Sequence, residues 1–212
     1  MDFNIKKICV GAVGTNCFIV YKGSKCFVLD PGGGFEKIKK VIEENNLNLS
    51  MIINTHGHYD HIWANKELAE YFDIPIWIHS NDKEMLTDPE KNASIFSAKK
   101  ITSPKAKNTL SNGDKFKFGD SCWEILHTPG HTKGSICIKN KSEKILFTGD
   151  TLFKQGWGRT DLPGGNNEQM KKSLLKLINL KDNYKCYPGH GPDFMLNNRK
   201  EELKTMLNNF SI

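Results

Sequence analysis

The stretch from Asn54 to His61 constrains this chain more than any other. It contains three histidines and one aspartate within six residues, His-Gly-His-Tyr-Asp-His. The apolar run Leu49–Ile53 precedes it and predicts a buried strand of a mixed sheet. Side chains at the end of such a strand face a crevice, and imidazole and carboxylate groups bind divalent metals. The stretch therefore predicts a metal site.

The spacing of these residues indicates how the metal ligands are divided. His56 and His58 are two residues apart, so in an extended segment both point to the same side and can share one ion. Gly57 lets the backbone bend closely around the site. Asp60 and His61 follow after the chain turns, and we expect them to face differently and to hold a second ion.

Further ligand residues follow other predicted strands. His131 lies in the turn after a strand that ends at His127, Asp150 follows the apolar strand Ile145–Phe147, and His190 follows a short strand at Tyr184–Cys186. The complete predicted metal-ligand set is His56, His58, Asp60, His61, His131, Asp150 and His190. Seven ligands are too many for one tetrahedral zinc but suit two ions that share the Asp150 carboxylate as a bridge.

Composition narrows the class of protein. The 212 residues contain no apolar stretch of membrane-spanning length, and the N-terminus lacks the apolar segment of a secretory signal. The six cysteines form no Cys-x-x-Cys pair, which favours a reduced, cytoplasmic location. The net charge of +6 is mild, and the lysines are spread over predicted helix faces. We expect neither a membrane nor a nucleic-acid partner, and the oligomeric state stays open.

The order of predicted elements indicates an α/β chain with two runs of strands, each followed by helices. The first run is a meander of strands at 7–13, 16–21 and 25–29. We predict one metallo-hydrolase domain over 1–212, a lid or insertion at 80–108 and a C-terminal helix at 197–208. His79, alone at a strand end, is interpreted as structural.

Four motifs resemble those of the metallo-β-lactamase superfamily, and most closely its glyoxalase II (hydroxyacylglutathione hydrolase) group. These motifs are Thr55–His61, His127–Thr132, Thr148–Phe153 and Tyr187–Gly191. The resemblance implies a four-layered αββα sandwich with mixed sheets.

Ligand roles follow from the same resemblance. It implies that His56, His58 and His131 hold one metal, that Asp60, His61 and His190 hold the other, and that Asp150 lies between them. His127 matches a position that is not a ligand. Asp30 matches an acidic residue that orients the site by hydrogen bonding to a ligand. The two carboxylates among the ligands, Asp60 and Asp150, are the predicted catalytic residues.

The chain departs from long glyoxalase II enzymes in two places. It is similar to the short bacterial type, because only 22 residues follow His190 and we expect the C-terminal helical domain that contacts glutathione to be absent. In the loop after Asp150, Arg159 keeps the positive charge of the family's lysine, but Asp161 replaces its tyrosine. Arg159 is predicted to bind a substrate carboxylate, with pairing to a neighbouring acid as the equal alternative.

The predicted function is a binuclear metal-dependent hydrolase of a small acyl thioester. A metal-bridging hydroxide would attack the thioester carbonyl. Zinc is favoured, and iron or manganese would also fit the imidazole and carboxylate ligands. One alternative is a persulfide dioxygenase with a single Fe(II) held by His56, His131 and Asp150, suggested by Gly158–Asp161. The other is a non-catalytic, metal-stabilised binding module.

Overall fold

The computed structural model describes residues 3–208 and divides the chain into two compact units, Met1–Leu110 and Ser111–Ile212. Each unit carries one six-stranded sheet. Within the described range, no helix has the length and apolar character needed to cross a membrane.

The sheet of the first unit is mixed, with the strands in sequence order. Its strands are β1 (Asn4–Val10), β2 (Thr15–Lys22), β3 (Lys25–Leu29), β4 (Asn48–Ile53), β5 (Ile76–His79) and β6 (Asn108–Leu110). Strands β1 to β3 are antiparallel, and β3 to β6 are parallel. The predicted meander is therefore present. The predicted first strand is wrong at both ends, because the chain turns at Gly11, whose φ of 69° ends β1 three residues early.

Helices connect the parallel strands of the first unit, as parallel pairing requires. They are α1 (Phe35–Glu44), the single turn α2 (Tyr59–Ile62) and α3 (Asn65–Phe72). Ile38, Ile42 and Leu68 are at most 1% exposed and belong to one core with Ile52 and Ile78 of the sheet. The second half of β4, Met51–Ile53, is buried, so the ligand motif begins at the end of a buried strand.

Residues 80–108, predicted as a lid or insertion, contain little regular structure. Two 3-10 helices, Ser80–Leu86 and Ser94–Phe96, precede the short strand β6. The role of this segment follows from its contacts, which are described below.

The sheet of the second unit is also mixed. Its strands are β7 (Lys115–Phe118), β8 (Ser121–His127), β9 (Ile136–Asn140), β10 (Ile145–Gly149), β11 (Lys185–Pro188) and β12 (Phe194–Met195), in the spatial order β12-β11-β10-β9-β8-β7. Only β10 and β11 are parallel. The crossover between them contains α4 (Asn167–Ile178), and α5 (Asn197–Asn208) has the bounds predicted for the C-terminal helix.

Sequence explains why α4 begins and packs where it does. Asn166 caps the helix, because its side-chain oxygen accepts the amide of Gln169 at 2.9 Å. Met170, Leu174 and Leu177 recur at helical spacing and are fully buried. These contacts fix the crossover that connects the two parallel strands, β10 and β11, whose carboxyl ends precede Asp150 and His190.

Candidate metal-binding site

The first group of candidate ligands lies in the loop after β4. His56, His58 and His61 are at most 3% exposed, and Asp60 is partly buried. The rings of His56 and His58 meet edge to face with centroids 4.9 Å apart. Potential ligand atoms of His56 lie within 4.8 Å of those of His58 and of His61, and Asp60 has the same relation to His61. The structure therefore brings these four predicted ligands together.

Hydrogen bonds within the motif determine this convergence. The Asn54 amide donates to the carbonyl of His61 at 3.0 Å and so closes the loop on itself. The single turn α2 begins at Tyr59, and the amide of His61 donates to the carbonyl of His58 at 3.0 Å. That turn redirects Asp60 and His61 relative to the extended segment before them, as the spacing predicted.

Asp30 orients the histidines of this group. It is 1% exposed, and its carboxylate accepts the amide of Thr55 at 2.7 Å and the hydroxyl of Thr55 at 2.6 Å. The same carboxylate lies 3.1 Å from Nδ1 of His61. The two atoms lack the alignment of a hydrogen bond, but the negative charge of Asp30 favours the neutral tautomer of His61 that carries its proton on Nδ1, and Nε2 is then the atom with a lone pair. This arrangement matches the orienting role expected for Asp30.

Thr55 extends the effect of Asp30 to a second histidine. The Thr55 hydroxyl gives its proton to Asp30, so at 3.2 Å from Nδ1 of His56 it acts as the acceptor. His56 thus carries its proton on Nδ1, and its Nε2 is the atom that can bind a metal. One buried carboxylate fixes the tautomer of two predicted ligands.

The second group of candidate ligands lies in the other unit, after strands β8, β10 and β11. Nε2 of His131 and Nε2 of His190 are each 3.5 Å from Oδ2 of Asp150. Nδ1 of His131 lies 2.7 Å from the carbonyl oxygen of Arg159 and must donate to it, which leaves Nε2 unprotonated. His131, Asp150 and His190 therefore converge, as their positions after strand ends predicted.

Close backbone packing holds the second group in place. The amide of Gly158 donates to the carbonyl of Asp150 at 3.0 Å, and the amide of Gly189 donates to that of Gly149 at 2.8 Å. A Cβ on Gly158 would lie 2.1 Å from the Asp150 oxygen and 2.9 Å from Nδ1 of His131. Only glycine allows the loop to approach both ligands this closely.

Arg159 forms an ion pair with the neighbouring acid of its own loop. Its Nε and Nη2 atoms each lie 2.6 Å from an oxygen of Asp161, and both side chains are mostly exposed. The hydrogen bond from Arg159 lowers the pKa of Asp161 to about 2. Of the two predicted alternatives for Arg159, the structure contains the ion pair. The main-chain carbonyl of Arg159 also accepts the hydrogen bond from Nδ1 of His131, a contact that the residue type could not indicate.

The two remaining histidines have structural contacts. His79 is 4% exposed, and its Nδ1 accepts the amide of Asn81 at the start of a 3-10 helix. The ring of His127 lies 2.9 Å from the carbonyl of Lys133. Both contacts agree with leaving these residues out of the ligand set.

The chemistry of each group fits a cation. Nε2 of His61 faces Oδ2 of Asp60 at 3.4 Å, and Nε2 of His131 faces Oδ2 of Asp150 at 3.5 Å. An unprotonated imidazole nitrogen and a carboxylate oxygen both carry lone pairs, so they repel at this distance until a cation lies between them. Imidazole and carboxylate ligands suit zinc, iron and manganese.

Several supporting residues were not found from the sequence. Thr15 donates to Asp60 Oδ2 at 2.9 Å, and Thr55 relays Asp30 to His56. Thr55 lies inside the motif, and its position next to His56 was the signal from which its contact with that histidine could have been predicted. Thr15 is 45 residues from its partner, and only the tertiary structure shows the contact.

Comparison with known proteins identifies the family. The family model described as the metallo-beta-lactamase superfamily matches residues 10–190. The chain belongs to the metallo-β-lactamase superfamily. Its membership, together with the two mixed sheets, confirms the predicted fold class.

Two curated relatives span nearly the whole chain. The probable metallo-hydrolase YqgX of Bacillus subtilis is 34% identical over 209 residues, covering 98% of this chain and 99% of the relative. The hydroxyacylglutathione hydrolase GloC of Haemophilus influenzae is 36% identical over 192 residues, covering 89% and 91%. The chain is thus similar to superfamily members described as hydrolases.

Two solved structures of the superfamily share its fold closely. BLEG-1, described as a B3 metallo-beta-lactamase, has a TM-score of 0.89 and 32% identity, covering 93% of this chain and 97% of its own. TTHA1623, described in a di-iron-bound form, has a TM-score of 0.84 and 29% identity, covering 92% and 96%. Together with the histidine and aspartate groups, superfamily membership indicates divalent metal binding.

Proposed function

We propose that this chain is a metal-dependent hydrolase of small acyl thioesters. The observation that carries the proposal is the tautomer of three histidines, each of which has a nitrogen with a lone pair available to bind a metal. Nδ1 of His56 and Nδ1 of His131 are hydrogen-bonded to protein oxygens, and Nδ1 of His61 lies 3.1 Å from the Asp30 carboxylate, so Nε2 is the ligand atom of each ring. The thioester class is supported by the similarity to GloC and by the glyoxalase II-like motifs.

The resemblance assigns both ligand groups to one centre with two ions, and we adopt this assignment. His56, His58 and His131 would hold one ion, Asp60, His61 and His190 the other, and Asp150 would contribute to both. When bound, ions of this kind lower the pKa of bound water to about 7 and would supply a nucleophile at neutral pH. The protein orients the ligands, chiefly through Asp30, Thr55 and the carbonyl of Arg159.

A surface cavity beside His190 offers space for part of the substrate. It has a volume of about 360 Å³ and is lined by Phe153, Lys154, Gln155, His190, Gly191 and Pro192. The Phe153 ring meets the His190 ring edge to face at 6.1 Å, so the cavity borders a predicted ligand directly. A mixed apolar and basic lining suits an acyl or thiol group that also carries negative charge.

The state of Arg159 sets a condition for substrate binding. The guanidinium is held by Asp161 in two short hydrogen bonds. A substrate carboxylate could bind Arg159 only by replacing one or both of those bonds. Because the pair is exposed and contributes little net free energy, such an exchange is energetically accessible.

A substrate panel on metal-loaded protein tests the proposal. The full chain is loaded with zinc or, under argon, with Fe(II), and is assayed with lactoylglutathione, an acyl-coenzyme A and a chromogenic β-lactam. Oxygen uptake with glutathione persulfide is measured in parallel. We expect thioester hydrolysis with kcat/KM well above that for the β-lactam.

Other outcomes of the panel would contradict the proposal. Oxygen uptake by a mononuclear iron form, without thioester cleavage, would favour the persulfide dioxygenase. A preparation with full metal content that cleaves no thioester would refute thioester hydrolysis.

A further inference from the structure

Residues 80–103 contact the metal-ligand loop, residues 54–61, at the two main-chain amides on either side of the Gly57–His58 pair. Oδ2 of Asp82 accepts the amide of Gly57 at 3.1 Å. The main-chain carbonyl of Asn92 accepts the amide of Tyr59 at 3.0 Å. The peptide groups before Gly57 and after His58 are therefore both fixed by this segment.

A third contact, from Met85, packs against the loop between those amides. A Cβ on Gly57 would lie 2.4 Å from Cβ of Met85 and 3.0 Å from its sulfur. Met85 is 7% exposed, so its side chain packs directly against the Gly57 backbone. Gly57 is needed here for close approach, in addition to any need for backbone freedom.

Buried hydrogen bonds hold residues 80–103 in one shape. The Asn92 side chain is 0% exposed, and its amide donates to the carbonyls of Met85 and Ile101, each at 2.9 Å. Its oxygen accepts the amide of Ser94 at 2.9 Å, and the Ser94 hydroxyl accepts the amide of Ile101 at 2.9 Å. A buried, satisfied polar network rigidifies the chain that forms it.

Asp82 places a buried carboxylate against the amide of Gly57. Its side chain is 0% exposed. Placing a carboxylate in the interior costs free energy, which hydrogen bonds to the charged group must offset. An asparagine or serine could fill the same space at lower cost, but a carboxylate holds the Gly57 amide more strongly.

We propose that residues 80–103 are a clamp that positions His56 and His58 for metal binding, with Asp82 as its positioning residue. The inference rests on the proposed ligand roles of these histidines and is independent of the substrate. It replaces the expected lid, since a lid must open, whereas this segment holds the ligand loop through buried bonds. Fixing a ligand from outside the metal site commonly controls metal affinity.

Zinc affinity of the full chain, measured by competition with a chromogenic chelator, tests the clamp. We expect Asp82→Leu to weaken zinc binding about 10- to 100-fold. Asp82→Asn keeps an acceptor for the Gly57 amide and should bind zinc much more tightly than Asp82→Leu. Ile42→Ala is the control, because Ile42 of α1 is buried in the core of the same unit and is not part of residues 80–103. It should lower the melting temperature but not the zinc affinity.

Two results would overturn the clamp. One is wild-type affinity in Asp82→Leu, and the other is an equal loss of zinc affinity in Ile42→Ala at a matched melting temperature. If Asp82→Leu does not fold, hydrogen exchange of the metal-free wild type decides. The amides of Gly57 and Tyr59 should then be as protected as those of β4, and rapid exchange at both would refute the clamp. A wild-type chain that binds no zinc would refute the proposed function as well.

Discussion

Replacement of Asp30 by asparagine should disable two metal ligands without changing the shape of the site. Asp30 has a φ of 49°, a left-handed conformation that asparagine also adopts readily. The substitution therefore leaves the backbone unstrained and changes only charge and hydrogen bonding. Alanine would lose the contacts but would also add backbone strain.

The magnitude follows from the three groups around the carboxylate, which are two donors of Thr55 and the Nδ1 atom of His61. Oδ1 accepts from the Thr55 amide, whereas Oδ2 accepts from the Thr55 hydroxyl and lies next to Nδ1 of His61. If the asparagine NH₂ group takes the place of Oδ1, it faces the main-chain amide of Thr55. Two buried N–H donors then point at each other, and neither has an acceptor. If it replaces Oδ2, it drives the His61 proton from Nδ1 to Nε2, the atom needed for the metal.

Either orientation lowers both stability and metal affinity. One unsatisfied buried donor costs about 1–3 kcal/mol in the free energy of unfolding. Loss of a partner that orients a metal ligand reduces metal affinity about 10- to 100-fold. Urea unfolding of the metal-free chain measures the first effect, chelator competition measures the second, and ¹⁵N NMR of the histidines reports the His61 tautomer.

Asp88→Asn is the control for this substitution. Asp88 accepts the amide of Glu90 in an exposed turn of the same unit, so its replacement removes a carboxylate from a turn contact. We expect zinc affinity close to wild type in this variant. Wild-type stability and zinc affinity in Asp30→Asn would refute the orienting role of Asp30.

Three further predictions concern the loop after Asp150 and the thiols. Arg159→Ala should leave metal content unchanged, because His131 contacts only the main chain of Arg159, and should raise KM about 10-fold for a thioester with a carboxylate; an unchanged KM in steady-state kinetics would restrict Arg159 to its ion pair. Gly158→Ala should lower the free energy of unfolding by about 1–3 kcal/mol through the clash with the Asp150 carbonyl, and an unchanged urea midpoint would contradict this. Cys9 and Cys122 are exposed, whereas burial raises the pKa of Cys26 to about 12 and that of Cys137 to about 11. A thiol reagent should therefore label two of the six cysteines in the folded chain and all six in urea. Rapid labelling of more than two in the folded chain would show that the core opens.

The candidate ligands could be named from the sequence because their signals are local. His56, His58, Asp60 and His61 fall in one motif, and His131, Asp150 and His190 each follow a strand whose apolar run is visible in the sequence. The bounds predicted for the third strand, 25–29, also agree with the structure, since apolar residues and the flanking turn residues define them. The misplaced first strand shows the limit of that approach, because edge strand β1 contains exposed polar residues that weaken its pattern.

The supporting contacts could not be predicted, because they involve main-chain atoms or residues distant in sequence. The carbonyl of Arg159 binds His131 across 28 residues, and no residue type marks a carbonyl for that role. Asp82 reaches the Gly57 amide across 25 residues from an irregular segment. Its carboxylate resembles any surface aspartate in the sequence, and only its complete burial reveals the difference.

Metal content per chain in Asp150→Ala tests the central claim most directly. We assign Asp150 to both proposed ions, because a shared carboxylate would offset the repulsion between two cations held close together. Elemental analysis after equal metal loading should give two metals per wild-type chain and a value near one for Asp150→Ala, while His79→Ala and His127→Ala retain two. Two metals in Asp150→Ala, or lost metal in His127→Ala, would contradict the ligand assignment.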